Sequence, residues 1–144
     1  MRIKQQGSRA LLAIGLTLAL QAAQAETVVI VSAKSSCGTL AAGQVADIFL
    51  GNSNTCPGGA AVTPVDQAEG SAAREEFYGK GLGKTAAQLK AHWSKMIFTG
   101  KGKPPKDVGD SIAVRKLVAD NANAIGYVER GAVDASVKVV YTLH

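Results

Sequence analysis

The chain has 144 residues, with 16 Lys and Arg against 11 Asp and Glu and 47% hydrophobic residues, which is typical of one folded domain. Its formal net charge is +5, but three of the basic residues lie in the first 25 positions, which hold no acidic residue. The remaining 119 residues therefore carry 13 basic and 11 acidic side chains. A net charge of +2 excludes the basic signature of a nucleic-acid-binding domain.

The first 25 residues have the pattern of a secretory signal peptide. A basic start is followed by an apolar run of eleven residues, 10–20, and by the small-x-small sequence Ala23-Gln24-Ala25. Eleven residues are too few for a membrane span, which needs roughly 20. We expect cleavage after Ala25, so that residues 1–25 form the leader and 26–144 a single domain in the periplasm, with no span left after cleavage. The basic residues of the leader are Arg2, Lys4 and Arg9.

Four apolar, β-branched segments predict strands, and four segments with caps and amphipathic spacing predict helices. The predicted strands are 27–31, 61–65, 124–128 and 137–143, and the first of them, TVVIV, reads as a central strand. The predicted helices are 40–50, 71–78, 86–97 and 110–121. The alternating order predicts an α/β fold, a mostly parallel sheet flanked by helices.

Two cysteines, Cys37 and Cys56, lie on either side of the first predicted helix. In an oxidising compartment such a pair most often forms a disulfide. The residues 50–56 are long enough to return along the helix, because extended chain covers over 3 Å per residue. A redox pair is less favoured because the C-x-x-C spacing is absent, and a metal site on two thiols alone is weaker still.

The stretch 61–78 reads as a strand, a polar turn and a helix that begins at Ser71. Ser71 is a suitable N-cap, and the amides after it lie at the positive end of the helix dipole. Such an end can hold an anion, and Arg74 would add a guanidinium. The plainer alternative is a capped helix that binds nothing, with Glu75 and Glu76 complementing the dipole.

Other candidate motifs carry less weight. The segment Gly83-Lys84-Thr85 resembles the end of a nucleotide-binding loop, but Tyr78 stands where that loop needs glycine, and no strand precedes it.

His92, next to Trp93, is more typical of a solvated or core-capping histidine than of a ligand. No group of residues has metal-ligand spacing, and no nucleophile has an evident base. We therefore expect no catalytic residues, no metal and no cofactor.

The segment 98–108 reads as a loop because it is rich in glycine and proline, and it carries Lys101, Lys103 and Lys106. A run of lysines is usually a solvated surface. The sharper alternative is a docking loop for an acidic partner.

Five landmarks in this order resemble the phosphate-binding proteins of ABC transporters, in the type 2 periplasmic-binding superfamily. They are DIFLG at 47–51, PVDQ at 64–67, REEFY at 74–78, HWSKMIFTGKGKPP at 92–105 and AIGYV at 124–128. The resemblance covers nearly all of the mature chain and implies one lobe of a two-lobed binding protein. More closely, the chain is similar to a short exported branch of that family.

The resemblance also implies a ligand site at the turn 67–73. The family has Arg-Ser-Asp-Gly-Ser-Gly-Thr there, and this chain has Gln-Ala-Glu-Gly-Ser-Ala-Ala. The glycine and the serine of the pattern are retained, whereas the arginine and the threonine are replaced. Each lost hydrogen bond to a charged ligand costs about 1.5–3 kcal/mol, so binding at least a hundredfold weaker is expected unless Arg74 compensates. The candidate oxyanion ligands are Gln67, Gly70, Ser71, Ala72, Ala73 and Arg74.

By this resemblance the protein is a periplasmic solute-binding-like protein for phosphate or a related oxyanion, linked to phosphate ABC transport. Its implied partners are that oxyanion and an ABC permease or another envelope protein, with no nucleic acid. The alternative is a single-lobe envelope protein of interaction or assembly that has lost solute binding.

Overall fold

The computed structural model describes residues 26–144, and the expected leader with its cleavage site lies outside them. The strands are β1 (Thr27–Ser32), β2 (Thr63–Asp66), β3 (Lys106–Asp107), β4 (Ala124–Glu129) and β5 (Val137–Thr142). The helices are α1 (Ala42–Phe49), α2 (Ala72–Glu76), α3 (Ala86–Phe98) and α4 (Ser111–Asp120). A π-helical turn, Phe77–Gly81, continues α2, and a 3-10 turn, Arg130–Ala132, follows β4.

The strands form one sheet in the order β3-β2-β4-β1-β5. β2 pairs in parallel with both β3 and β4, whereas β1 pairs antiparallel with both β4 and β5. Because β4 and β5 are each antiparallel to β1, they point the same way. Within the described sheet, β1 is therefore the one strand that runs against the others. The predicted α/β fold with helices around a mostly parallel sheet is confirmed.

β1 is buried on both faces, which explains its unbroken apolar sequence. Val29 and Val31 belong to the cluster that also holds buried residues of α1, α2 and α3. Val28 and Ile30 belong to the cluster beneath α4. The interior position that the sequence predicted for this strand is confirmed.

α4 lies very close to β4 because Gly126 has no side chain. A Cβ at this position would lie 2.5 Å from Cγ1 of Val114, which is shorter than any real contact. Glycine here is therefore required by packing, and it allows Val114 and Val118 to be fully buried against the sheet.

The predicted disulfide between Cys37 and Cys56 is confirmed, with an S–S distance of 2.07 Å. It ties the chain before α1 to the chain after it. A second tie comes from His92, whose Nε2 lies 2.8 Å from the carbonyl oxygen of Leu50 at the end of α1. A carbonyl oxygen can only accept, so this nitrogen carries a proton and His92 caps the helix end.

Several boundaries differ from the sequence predictions. Lys106 and Asp107 were expected in a loop but form the edge strand β3, which pairs with the end of β2. The N-cap of α4 is Asp110, whose side chain accepts from the amide of Ala113 at 2.9 Å. Within residues 26–144, no helix is both long and apolar enough to cross a membrane.

Candidate functional site

The candidate site is the turn that joins β2 to α2. β2 ends at Asp66, and the chain then turns through Gly70, whose φ of +85° is a conformation that glycine adopts without strain. Ser71 follows as the N-cap of α2, with its hydroxyl accepting from the amide of Arg74 at 3.1 Å. The predicted cap is therefore confirmed.

The amides of Ala72 and Ala73 are the first two of α2, where the helix itself supplies no carbonyl acceptor. Ala72 is exposed and the side chain of Ala73 is buried. The hydroxyl of Ser71 donates to Oε1 of Gln67 at 3.2 Å. A rotation of that hydroxyl about its Cβ–Oγ bond would turn its proton toward a bound anion instead.

Gln67 is buried, with 1% of its surface exposed. Its side-chain Nε2 donates to the hydroxyl of Ser111 at 3.1 Å and to the carbonyl oxygen of Tyr127 at 2.9 Å. The side chain therefore joins the turn to the start of α4 and to β4. It positions Ser71 from within the protein and does not line the adjoining groove.

Asp66 lies at the centre of a buried polar cluster, with 3% of its surface exposed. Its carboxylate accepts from the hydroxyl of Tyr78 at 2.7 Å, from the hydroxyl of Tyr127, and from the amide of Gln67 at 2.9 Å. The two tyrosine rings are held by Phe77, whose ring stacks on Tyr127 with centroids 4.1 Å apart. A buried carboxylate with this many donors is satisfied inside the protein.

Arg74 links that cluster to the surface. Its Nη1 lies 3.4 Å from Oδ2 of Asp66 and donates to the carbonyl oxygen of Gln67 at 2.8 Å. The guanidinium also lies over the ring of Tyr78, 5.6 Å from its centroid. Its Nε and Nη2 have no protein acceptor within residues 26–144, and 20% of the side chain is exposed. The N–H groups on Nε and Nη2 of Arg74 therefore remain available to a ligand.

The pKa of the Tyr78 hydroxyl is raised far above its ordinary value, first by burial and then by the negative charge of Asp66. The same two causes, in the same order, raise the pKa of Tyr127. Both hydroxyls thus stay protonated and act as donors to Asp66 throughout the neutral range.

A broad groove of about 1030 Å³ opens beside this turn, between α2 and α3. Gly70 and Arg74 lie on its wall, and Tyr78 and Trp93 form its base. Its charged side chains have both signs. They are Glu69, Glu75, Arg74, Lys84 and Lys90.

The structure brings the six predicted ligand residues together at one turn, but in different roles. Gly70, Ser71, the amides of Ala72 and Ala73, and Arg74 lie at its surface, whereas Gln67 supports it from inside. Sequence reasoning missed the partners of Asp66, namely Tyr78 and Tyr127. The one available signal was an aspartate directly after the apolar β2. Among the described residues, no group of three His, Cys, Asp or Glu side chains could hold a metal ion.

No protein-family model matches the sequence, and no curated protein matches it either. Solved structures do match. A putative phosphate ABC transporter substrate-binding protein from Clostridium perfringens, solved with bound phosphate, is 26% identical over 80% of this chain, with a TM-score of 0.64. An ABC-type phosphate transport receptor from Vibrio cholerae is 20% identical over 80%, also at 0.64, and PstS from Borrelia burgdorferi is 12% identical over 81%, at 0.60.

In its fold, the chain is similar to one lobe of these transport proteins. The resemblance that the five sequence landmarks indicated is thereby confirmed. The chain matches 44%, 45% and 46% of the length of the three structures, so it spans less than half of each.

Proposed function

We propose that this protein is an exported solute-binding-like lobe that holds phosphate or a related oxyanion at the turn Gly70–Arg74. The observation that carries the proposal is the convergence at one surface turn of the Ser71 hydroxyl, the first two amides of α2 and the unused donors of Arg74. The fold supports it, because the chain resembles a substrate-binding protein solved with bound phosphate.

The ligand would lie at the start of α2. There the oxyanion would accept from Ser71 Oγ, from the amides of Ala72 and Ala73, and from Nε or Nη2 of Arg74. Amide donors at a helix start favour an anion, and a guanidinium suits two of its oxygens at once. Gly70 turns the chain away so that the amides remain accessible, and Gln67 holds Ser71 in position.

Binding by this lobe alone is expected to be weak, for three reasons. Asp66 already shares the charge of Arg74 at 3.4 Å. Glu69 and Glu75 line the same groove and repel an anion. One lobe also leaves the ligand in contact with water, where each charged interaction is much weaker than in an enclosed site.

A second surface would complete the site by excluding that water. It would come from another copy of the chain or from an envelope protein such as an ABC permease, with the exported chain acting in the periplasm. In this role the protein binds and presents a solute and catalyses nothing. The solved structures it resembles are likewise described as binding proteins or receptors.

The proposal is tested by calorimetric titration of phosphate, and separately of sulfate, into the full chain and its variants. Ser71→Ala and Arg74→Ala should each weaken binding at least tenfold. Matched controls are Ser36→Ala and Arg115→Ala, an exposed serine and an arginine that pairs with Asp134 away from this turn. Thermal melts of all variants separate a lost ligand contact from a lost helix cap. Binding that survives both site variants would contradict the proposal.

One observation favours a second function, that of an interaction or assembly protein without a solute. The carboxylate of Asp66 already accepts from both tyrosine hydroxyls and the Gln67 amide and forms an ion pair with Arg74, as a bound oxyanion would. The turn is therefore stable when empty. No heat of binding at about 10 mM phosphate from a folded protein, together with a stable complex with an envelope protein, would establish this function instead.

A further inference from the structure

The end of α3 exposes the two most accessible large hydrophobic side chains of the described residues. Phe98, the last residue of the helix, is 92% exposed, and Ile97 is 58% exposed. In the described part of the chain, the other exposed large hydrophobic residue is Ile112, at 43%. Exposing two adjacent apolar side chains to water is energetically unfavourable, and such a patch is typical of an interaction site.

The chain turns back sharply after this helix, which leaves Ile97 and Phe98 at an apex. The amide of Thr99 bonds to the carbonyl oxygen of Lys95 at 3.0 Å, and the amide of Lys101 bonds to that of Met96 at 2.9 Å. The following loop then passes over Met96, since a Cβ on Gly102 would lie 3.5 Å from its methyl group. Met96 is covered by this return, whereas the apex remains uncovered.

The chain segment that forms the apex is rich in lysine and holds no acidic residue. The sequence from Ser94 to Lys106 contains four lysines and no Asp or Glu. Lys95 and Lys101 line one shallow depression beside the helix end, and Lys103 is exposed two residues further on. Every ion pair within residues 26–144 uses an arginine, so no carboxylate of the described chain pairs with these lysines.

We propose that this lysine-rich apex, consisting of Lys95, Ile97, Phe98, Lys101 and Lys103, docks the protein on the surface of an anionic lipid bilayer. Ile97 and Phe98 enter the boundary between headgroups and acyl chains, and the lysines remain among the anionic headgroups. The lysines indicate that the binding partner is anionic. The two projecting apolar side chains indicate that it has an apolar interior.

A bilayer fits this surface better than an acidic protein does. Protein interfaces are depleted in lysine, and a standard one covers about 800 Å² on each partner. Here two exposed apolar side chains lie at a helix end, and the three exposed lysines of the apex lie within five residues of them in the sequence. A fluid bilayer needs no matching pocket to accept such a projection, and each lysine near anionic lipid adds to the attraction.

The test is co-sedimentation of the full chain with vesicles of phosphatidylcholine alone, and with vesicles in which about one third of the lipid is phosphatidylglycerol. Binding is expected on the anionic vesicles, and it should fall steeply when salt is raised, because salt screens exposed charges. The apolar run 10–20 and the basic residues Arg2, Lys4 and Arg9 are present in every variant, so their contribution cancels when variants are compared on the same vesicle type.

Two variants remove the two parts of the apex. Phe98→Ser should weaken partition to anionic vesicles at least fivefold, because a projecting phenyl ring no longer enters the bilayer. The triple variant Lys95→Gln/Lys101→Gln/Lys103→Gln should weaken it at least tenfold. All four side chains are exposed or end a helix, so the fold should survive, and thermal melts verify this.

The chain offers a matched control for each variant. Ile112→Ser removes the other exposed aliphatic side chain, and Lys34→Gln/Lys80→Gln/Lys116→Gln removes three exposed lysines at other positions with the same change in net charge. Both controls should keep the preference for anionic vesicles.

Equal binding to both vesicle types, or equal losses in apex and control variants, would overturn the proposal. Failure to bind vesicles, combined with retention on immobilised poly-glutamate that Phe98→Ser and the apex triple variant abolish, would also overturn it. That result would assign the surface to an acidic protein.

Discussion

The guanidinium of Arg74 reaches back across the β2–α2 turn to the carboxylate of Asp66, with Nη1 3.4 Å from Oδ2. The side chain of Asp66 is 4% exposed and that of Arg74 is 20% exposed, so the pair lies between the core and the groove. Any anion that takes up donors of Arg74 therefore competes with an internal carboxylate. The stability of the buried cluster and the charge offered to a ligand are linked through this pair.

Removing the charge of Asp66 should destabilise the fold. In Asp66→Asn, the amide group presents donors to the tyrosine hydroxyls and to Arg74, and about 3 kcal/mol of unfolding free energy is expected to be lost. Urea denaturation measures this loss. The control is Asp134→Asn, which removes an exposed carboxylate paired with Arg115 and should cost much less. Similar losses in the two variants would show that the buried cluster is not a major source of stability.

The two buried tyrosines predict a loss of stability at alkaline pH. Their pKa values are raised in the folded protein, whereas an unfolded tyrosine ionises near pH 10. Below about pH 10 the two tyrosines contribute fully to the free energy of unfolding. Their contribution is lost as the pH rises further, because only the unfolded chain then releases the protons of the tyrosine hydroxyls. The expected slope is roughly 1.4 kcal/mol per pH unit for each tyrosine.

Denaturation midpoints followed from pH 8 to 11 measure that slope. The double variant Tyr78→Phe/Tyr127→Phe should be less stable at neutral pH but should lose its stability less steeply above about pH 10. An unchanged slope in the double variant would refute this origin for the alkaline instability.

The Cys37–Cys56 bond closes a loop with a sequence separation of 19 residues. In the chain-entropy description, such a loop contributes roughly 3 kcal/mol by restricting the unfolded state. Cys37→Ser/Cys56→Ser should therefore melt roughly 10 °C lower. The wild-type protein under reducing conditions should match the double variant. A melting temperature that neither change alters would mean that the disulfide contributes no stability.

Gly126→Ala should destabilise the contact between β4 and α4 by about 1–3 kcal/mol, because the new Cβ would lie 2.5 Å from Val114. Gly38→Ala is the control, since a Cβ there meets no atom within 4 Å. In the Gly126→Ala background, Val114→Ala removes the clashing methyl and should cost less than it does in the wild type. Additive losses would rule out the steric explanation.

Local signals in the sequence predicted much of the fold. The unbroken apolar run of β1 and the cap Ser71 each have a physical cause within a few neighbouring residues, and the two cysteines lie on either side of one short helix. The alternation of strands and helices then fixed the fold class.

Features that depend on distant pairing were not predicted. β3 has two residues and exists because Lys106 and Asp107 pair with the end of β2, about 40 positions earlier. The carboxylate of Asp66 accepts from Tyr127, which is 61 residues away. No local pattern in the sequence encodes such a contact. The sequence therefore indicated an anion-binding turn but could not show that Arg74 already pairs with Asp66.

The most direct test of the oxyanion-binding account is a titration of phosphate into 15N-labelled protein, followed through its amide chemical shifts. If phosphate binds at the start of α2, the amides of Ala72 and Ala73 should shift most and saturate in the millimolar range. Arg74→Ala should abolish these shifts, and Arg115→Ala should preserve them. Shifts centred on another part of the fold, or none at about 10 mM phosphate, would contradict it.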